Sequence, residues 1–385
     1  MIIVHSYIPY LIVSMVFGWG VAFLATRASI AMAHRYDVLA RPDHRASHTI
    51  PTPRLGGLGI VAALYGHAAL LDAQGFFAPA PWKSALLVGG AWAFVGGLLD
   101  DIHQLNPRWK FLFQFAAAGS AVALGFRVLP APFAAWLDPL SDFWFETAAA
   151  VFTVLFIVFI MNAYNFMDGM DGQAAVFGTL VAVAMALPSA ALVVPDALGE
   201  VVMLGTLAGA LLGFFMYNRP SAPAGRKTFM GDCGSQFVGY ALALMALRCE
   251  QKSYDVFNFW SALIILSPFL WDVTYTLIRR LLRGENIFAA HRTHLYQRLL
   301  VAGWSHTEAL ALNFMLWGMC FVLAQLHARL LREGARGWLA LVYCAVVFVL
   351  LCYTLFVLMV ERQAKRRAQR DATSSQAGAT LTKSA

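Results

Sequence analysis

Apolar runs repeated along the whole chain are the feature that most narrows what it can fold into. They fall at approximately 7–32, 55–73, 84–99, 111–130, 147–163, 173–188, 199–216, 235–248, 257–278, 307–327 and 337–360. A helix needs about 20 mostly apolar residues to cross a bilayer, and inside lipid every backbone polar group must be paired within its own segment. These runs therefore predict an all-α, polytopic membrane protein with about eleven transmembrane helices. Composition agrees, with 60% hydrophobic and only 13% charged residues, against roughly 25% charged in a soluble domain. One membrane domain, 1–361, is expected, followed by a tail, 362–385, that is basic at first and irregular from residue 371.

Charge sets the orientation. The net charge is +7, and the positive-inside rule accounts for it without a nucleic-acid partner. No Lys or Arg precedes the first run, no small-residue cleavage pattern follows it, and Arg27 comes near its far end. The N-terminus is thus expected outside (periplasmic), with no cleaved signal. On that assumption the outside segments hold Lys83, Arg127, Arg248, Lys252, Arg329, Arg332 and Arg336, and the other 21 of 28 basic residues lie inside. The cluster Arg329, Arg332, Arg336 runs against the rule and flags a missed span near 327–337. Arg362, Lys365, Arg366, Arg367 and Arg370 fall at the inner leaflet, where they set topology. The five cysteines include no CxxC pair. Cys249, Cys320, Cys344 and Cys352 lie in or beside apolar runs and serve as small hydrophobes.

The inside loops, about 33–54, 100–110, 164–172, 217–234 and 279–306, concentrate the reactive side chains. The third span ends in Asp100-Asp101, with Lys110 and Gln114 just beyond. Paired carboxylates at a membrane boundary are costly, and fit either a helix stop or a ligand-facing pair; Lys110 fits a helix start or a ligand contact. The fifth span runs into Asn162-Ala163-Tyr164-Asn165-Phe166-Met167-Asp168-Gly169-Met170-Asp171-Gly172. Its Asn and Asp oxygens are hard ligands suited to Mg²⁺, and its glycines allow close backbone approach. Phe229-Met230-Gly231-Asp232-Cys233-Gly234-Ser235 sets an Asp between glycines ahead of another span. That suits a metal ligand, a phosphate-cradling turn, or a helix cap. The last large loop carries His291-Arg292-Thr293-His294-Leu295-Tyr296-Gln297-Arg298-Leu299, where Arg with His fits phosphate better than zinc. The first carries Arg41, Asp43, His44, Arg45, Ser47 and His48, then Pro51-Thr52-Pro53-Arg54-Leu55-Gly56-Gly57. Acidic groups for a divalent cation and basic groups for a polyphosphate, on one face and against lipid, point to phosphoryl transfer between a soluble diphosphate and a lipid acceptor.

These motifs, in this order, resemble the polyprenyl-phosphate N-acetylhexosamine-1-phosphate transferase family, and the resemblance runs from Arg41 to Leu299. The HRxHxYQRL form of the last motif resembles the bacterial branch that starts O-antigen or capsule-type glycans. It lacks the adjacent histidines of the peptidoglycan branch. The resemblance implies a UDP-N-acetylhexosamine (or 6-deoxy) donor, an undecaprenyl phosphate acceptor, and the products undecaprenyl-diphospho-sugar and UMP. It also implies Mg²⁺ (or Mn²⁺), an inner-membrane location with the active site and C-terminus cytoplasmic, and a homodimer. By resemblance Asp232 is the main metal ligand and Asn165 a second group near the metal. Asp171 reads the uracil edge and Phe229 stacks on it, while Asp100 and Asp101 match the family's paired aspartates. His291, Arg292 and His294 match the diphosphate-gripping segment. Asp168 joins the catalytic candidates, and Asn162, Asn218, Arg45, His48 and Lys110 the substrate-binding ones. The rival class is a transporter or flippase for a phosphorylated solute or lipid-linked sugar. It is disfavoured because the acidic groups sit at span ends and no inverted repeat of broken helices is visible.

Overall fold

A computed structural model of the chain describes residues 6–42, 50–76, 80–130, 133–137, 141–193, 197–251, 257–286 and 292–383, without side chains at 135, 137 and beyond 371. In chain order the helices are α1 (Ile8–Arg35), α2 (Gly57–Ala73), α3 (Pro81–His103), α4 (Pro107–Ala123), the short α5 (Phe133–Leu137), α6 (Asp142–Met167), α7 (Gln173–Ala191), α8 (Leu198–Asn218), α9 (Gly231–Gln251), α10 (Phe259–Leu282), the short α11 (Leu295–Val301), α12 (His306–Arg332) and α13 (Leu339–Lys383). Between α1 and α2 a two-residue ribbon pairs β1 (Leu39–Ala40) antiparallel with β2 (Thr52–Pro53).

Local chemistry marks the helix ends. Pro stands at the first turn of α1, α3 and α4, where its missing N–H costs nothing. Asn106 and Asn258 cap α4 and α10 through their side-chain oxygens. Ser305 and Glu308 form a reciprocal capping box at α12.

Each apolar run falls on one helix, though 111–130 overruns α4, which ends at Ala123; among the described residues eight helices, by length and composition, can cross a membrane: α1, α3, α6, α7, α8, α10, α12 and α13. The count of eleven is therefore not reached. α2 is only 17 residues long, α4 has the same length and opens on polar residues, and α9 carries polar groups at both ends. The span suspected near 327–337 is absent: α12 ends at Arg332 and α13 begins at Leu339, with a 3-10 turn between them. Arg329 there pairs with Glu333 at 2.8 Å. The tail expected to be irregular instead continues α13 to Lys383. A helix already nucleated adds residues at little cost.

The helices are arranged around α9, which is buried along almost its whole length by α2, α3, α6, α7 and α10. Large apolar side chains exposed on α1 (Val13, Val16, Leu24), α6 (Val151, Leu155), α12 (Met315, Val322) and α13 (Phe348, Leu355) form the lipid-facing surface. α1 and α8 meet along a seam of small residues. Gly205, Gly209 and Gly213 of α8 face Leu11, Met15 and Trp19 of α1, while Gly18 faces Thr206. In lipid, where apolar surface gains nothing by burial against another apolar surface, such close backbone approach supplies the packing energy. A side chain on Gly209 would be driven into the Met15 carbonyl. Gly209→Val is expected to destabilise the protein by about 1–3 kcal/mol through overpacking. A thermal melt of the purified protein in detergent checks this, since Val at the open position Gly20 should leave the midpoint unchanged.

Candidate active site

The site is built on the first turn of α9. The first four backbone N–H groups of a helix have no partner within it. Here Asp101, on α3, takes two of them, accepting from Asp232 N at Oδ1 and Cys233 N at Oδ2, both at 2.9 Å. Arg54 Nε lies 3.8 Å from the same carboxylate. Just ahead, Gly231 has φ 73°, and a side chain there would meet the Arg54 carbonyl and the Asp101 carboxylate. Only glycine fits. The preceding strand-like segment is laced to the first inside loop. Phe229 N donates to Pro53 O (2.8 Å), Gly56 N to Phe229 O (3.0 Å) and Gly57 N to Met230 O (2.8 Å). The two glycine-bearing motifs of the sequence thus form one rigid unit that holds Asp232.

Lys110 joins the acidic groups. Its ammonium lies 2.5 Å from Asp100 Oδ2 and 3.1 Å from Asp232 Oδ2. Asp100 Oδ1 accepts from Leu105 N at 2.7 Å. Asp232 Oδ1 accepts from Asn165 Nδ2 at 3.0 Å, and the same amide donates to Ser235 Oγ at 2.8 Å. Burial alone would raise the Asp232 carboxyl, but hydrogen bonding to Asp100 and the charge of Lys110 outweigh it and hold Asp232 below the usual carboxylate range. Asp100 and Lys110 line two spaces at once. One is a narrow slot running inward past Gly96, Gly97 and Phe113. The other is an open cleft of about 670 Å³ that extends to Tyr36, Arg41 and Arg54.

The loop after α6 brings Asp168 and Asp171 to the same end of the bundle. Asp168 makes no hydrogen bond or ion pair through its carboxylate among the described residues. Burial first, then the carboxylates of Asp232, Asp101 and Asp171, push it well above its ordinary value, with Arg54 offsetting part. Asp171 is the opposite case. Burial would raise it, but the His306 ring and the Lys227 ammonium close beside it lower it. Lys227 Nζ (2.5 Å) and His306 Nδ1 (3.0 Å) both sit at Oδ2, so Oδ1 faces neither of them.

Several expected roles change. Asp101 does not face an acceptor. Its side chain is 0% exposed and both oxygens are taken by backbone, so it positions Asp232. Asn162 is not presented to a ligand, because it pairs reciprocally with Gln114 (2.8 and 3.1 Å), which also reaches Gln236 (3.0 Å). This amide network ties α6, α4 and α9. Asn218 is 2% exposed and is consumed in clamping the loops, accepting from Gly172 N (2.8 Å) and donating to Thr228 O (2.9 Å). Asn165 spends its amide N–H on Asp232 and so orients that carboxylate. His294 is buried, with Nδ1 3.2 Å from Asp272 Oδ1, and Arg292 is half-buried. Phe229 is half-buried beside the site. His291, Arg45 and His48 lie outside the described residues.

The sequence reading missed Lys227, His306, Asp272 and the clamp of Arg54. Asp272 carried a legible signal as an acid inside an apolar span. It caps α11, accepting from Leu295 N (2.8 Å) and Tyr296 N (3.4 Å). Tyr296 Oη in turn donates to Phe166 O at 2.8 Å, which places the His294 loop and the Asp168 loop on one face of the bundle.

Membrane-crossing helices that gather carboxylates and a lysine at one end define an integral membrane protein with a polar site at its surface. Residues 84–250 match the model of glycosyl transferase family 4. The chain is 32% identical over 327 residues to a probable undecaprenyl-phosphate N-acetylglucosaminyl 1-phosphate transferase of Bacillus subtilis, covering 84% of each protein. It is 32% identical over 322 residues to the decaprenyl-phosphate N-acetylglucosaminephosphotransferase of Mycobacterium leprae, covering 78% of this chain and 79% of that one. It is 24% identical over 341 residues to the undecaprenyl-phosphate alpha-N-acetylglucosaminyl 1-phosphate transferase of Yersinia pestis, covering 88% and 89%. The chain belongs to glycosyl transferase family 4.

Two outcomes are expected of this geometry. Asp101→Asn sets an amide against the N–H groups of α9 and is expected to lower stability by about 1–3 kcal/mol, read as a lowered unfolding midpoint with the secondary structure retained. For Asp171, a folded-state value below the unfolded one means stability present at neutral pH and lost as pH falls through the folded value. Asp171→Asn is therefore expected to be less stable than the native protein at pH 6 to 8. That gap closes below about pH 4, where the unfolded carboxyl protonates; melting temperatures across that range check it.

Proposed function

We propose that the protein transfers an N-acetylhexosamine-1-phosphate, or a 6-deoxy relative, from a UDP-sugar to undecaprenyl phosphate, giving undecaprenyl-diphospho-sugar and UMP. The reaction would take place at the cytoplasmic face of the inner membrane, as the first membrane step of O-antigen or a related surface glycan. The observation that carries this reading is the Lys110 ammonium, held between Asp100 and Asp232 at the junction of an inward slot and an open cleft. Polyprenyl phosphates are named as acceptors for the relatives in Bacillus and Mycobacterium, which supports the same acceptor class here.

The reaction is an in-line displacement. An oxygen of the acceptor phosphate attacks the sugar-bearing β-phosphorus, the bond to the bridging oxygen breaks, and UMP leaves with the electron pair. A phosphate monoester has its second pKa near 6 and is already largely dianionic at neutral pH, so no strong base is needed. Asp100 is poorly suited to that role, because Lys110 and Leu105 N occupy its two oxygens. Lys110 attracts the acceptor phosphate, and Asp100 fixes Lys110. Asp171 Oδ1 is available to a uracil N–H, with Phe229 as the stacking face. Arg292, with His291, would grip the diphosphate.

A divalent cation fits the residues present. Asp232 is held below the usual carboxylate range, and Asp168 makes no hydrogen bond or ion pair through its carboxylate among the described residues, so both could give oxygens to a cation. Mg²⁺ bound through one or two carboxylates, with water and substrate phosphates completing its shell, has this pattern. When bound by Asp232 and Asp168, it would neutralise charge developing on the diphosphate.

The test is UMP release from a panel of UDP-sugars by purified protein with undecaprenyl phosphate and Mg²⁺. Formation of UMP and the lipid-linked sugar is expected. Movement of an intact donor or lipid-linked sugar across vesicles, without UMP, would instead identify a transporter. In the same assay Asp100→Asn is expected to lose rate through positioning, by about tenfold, while its pH profile stays flat above pH 7. A steep rise of the variant's rate with pH there would restore a base role.

A further inference from the structure

Away from the carboxylates, a second basic cleft opens where α1 and α8 emerge. Its volume is about 420 Å³. Arg27 on α1, Arg219 at the end of α8 and Arg226 in the following 3-10 turn line it. Among the described residues, none of the three guanidiniums is in an ion pair or hydrogen bond through its side chain, and Arg219 Nε is buried without any partner. Three cations left together without an acid repel one another unless an anion joins them.

The wall on the other side is apolar. Phe23, Ile30 and Met216 line it. Trp19 stacks on Phe23 (5.4 Å) and Phe23 lies against Tyr217 (5.1 Å), which makes an aromatic ladder below the arginines. Aromatic rings beneath and guanidiniums above match a bilayer interface, where chains lie inward and phosphates outward. A soluble anion would have no use for the apolar wall.

We infer that this cleft binds the phosphate head group of an anionic glycerophospholipid of the surrounding bilayer, gripped by Arg27, Arg219 and Arg226 with its acyl chains along Phe23 and Met216. The site lies on α1 and α8, whereas Lys110, proposed to attract the acceptor phosphate, lies on α4. It also touches the loop that carries Lys227: Thr228 N donates to Tyr217 O at 3.1 Å. A bound head group therefore steadies the loop between Arg219 and Asp232.

The experiment is native mass spectrometry of the full-length protein, purified in mild detergent and offered phosphatidylglycerol, phosphatidylcholine or undecaprenyl phosphate, with no nucleotide sugar present. The native chain is expected to retain phosphatidylglycerol over phosphatidylcholine. Arg27→Gln and Arg226→Gln, both at exposed positions, are each expected to weaken retention about fivefold. A tail variant, Arg366→Gln with Arg367→Gln, should retain it as the native chain does. Phosphatidylglycerol should also raise the melting temperature of the native chain and not of the two cleft variants. Equal retention by native and cleft variants, equal retention of phosphatidylcholine, or displacement of phosphatidylglycerol by undecaprenyl phosphate would each overturn the inference. Because no sugar donor enters the measurement, it stands or falls apart from the transferase reading.

Discussion

A single carboxylate fixes the geometry of this protein's polar end. Asp101, wholly enclosed, turns both oxygens onto the N–H groups that open α9. Leaving such donors unpaired in a buried place costs about 1–3 kcal/mol each, so the helix start can sit inside the bundle only with this partner. Everything nearby inherits the constraint. Gly231 must turn with positive φ to bring the chain in, Arg54 closes over the carboxylate, and Asp232 is aimed at Lys110 and Asn165. A helix N-terminus also carries partial positive charge, so the same frame that holds Asp232 favours its ionised form.

Rigidity behind the site comes from backbone proximity more than from large side chains. Gly97 lets α3 approach the first turn of α9, Gly57 meets Gly234, and the glycines of α8 admit α1. In a bilayer such contacts replace the hydrophobic drive that soluble cores rely on. The amides of Gln114, Asn162 and Gln236 add directional ties between α4, α6 and α9 where lipid offers no competing hydrogen bonds. The cleft can therefore stay open and polar without the bundle loosening around it.

Much of this was legible in the chain. Each apolar run marks a helix, because in lipid a long apolar segment has few other ways to satisfy its backbone. The run positions alone do not say which helices can cross. α9 reads as a short span, yet it is the buried axis, since polar residues at both its ends meet partners from other helices. The acidic and glycine-rich motifs announce a site through their density. Their division of labour is hidden, because an Asp that caps and an Asp that meets a ligand share one letter. Asp100 and Asp101 are neighbours in sequence but point a full 100° apart around a helix of about 3.6 residues per turn. One holds Lys110 and the other turns both oxygens onto the start of α9.

The sequence by itself determined the membrane class, the helical content, the clustering of carboxylates and bases in a few loops, and the resemblance that those motifs carry. These follow from local composition and order. Only the tertiary structure decided that Asn162 and Asn218 are spent on helix and loop contacts, that Lys227 and His306 hold Asp171, and that Lys110 spans Asp100 and Asp232. The physical reason is that a polar group's role depends on which partner reaches it first, and these partners lie far apart along the chain, 122 residues in the case of Lys110 and Asp232.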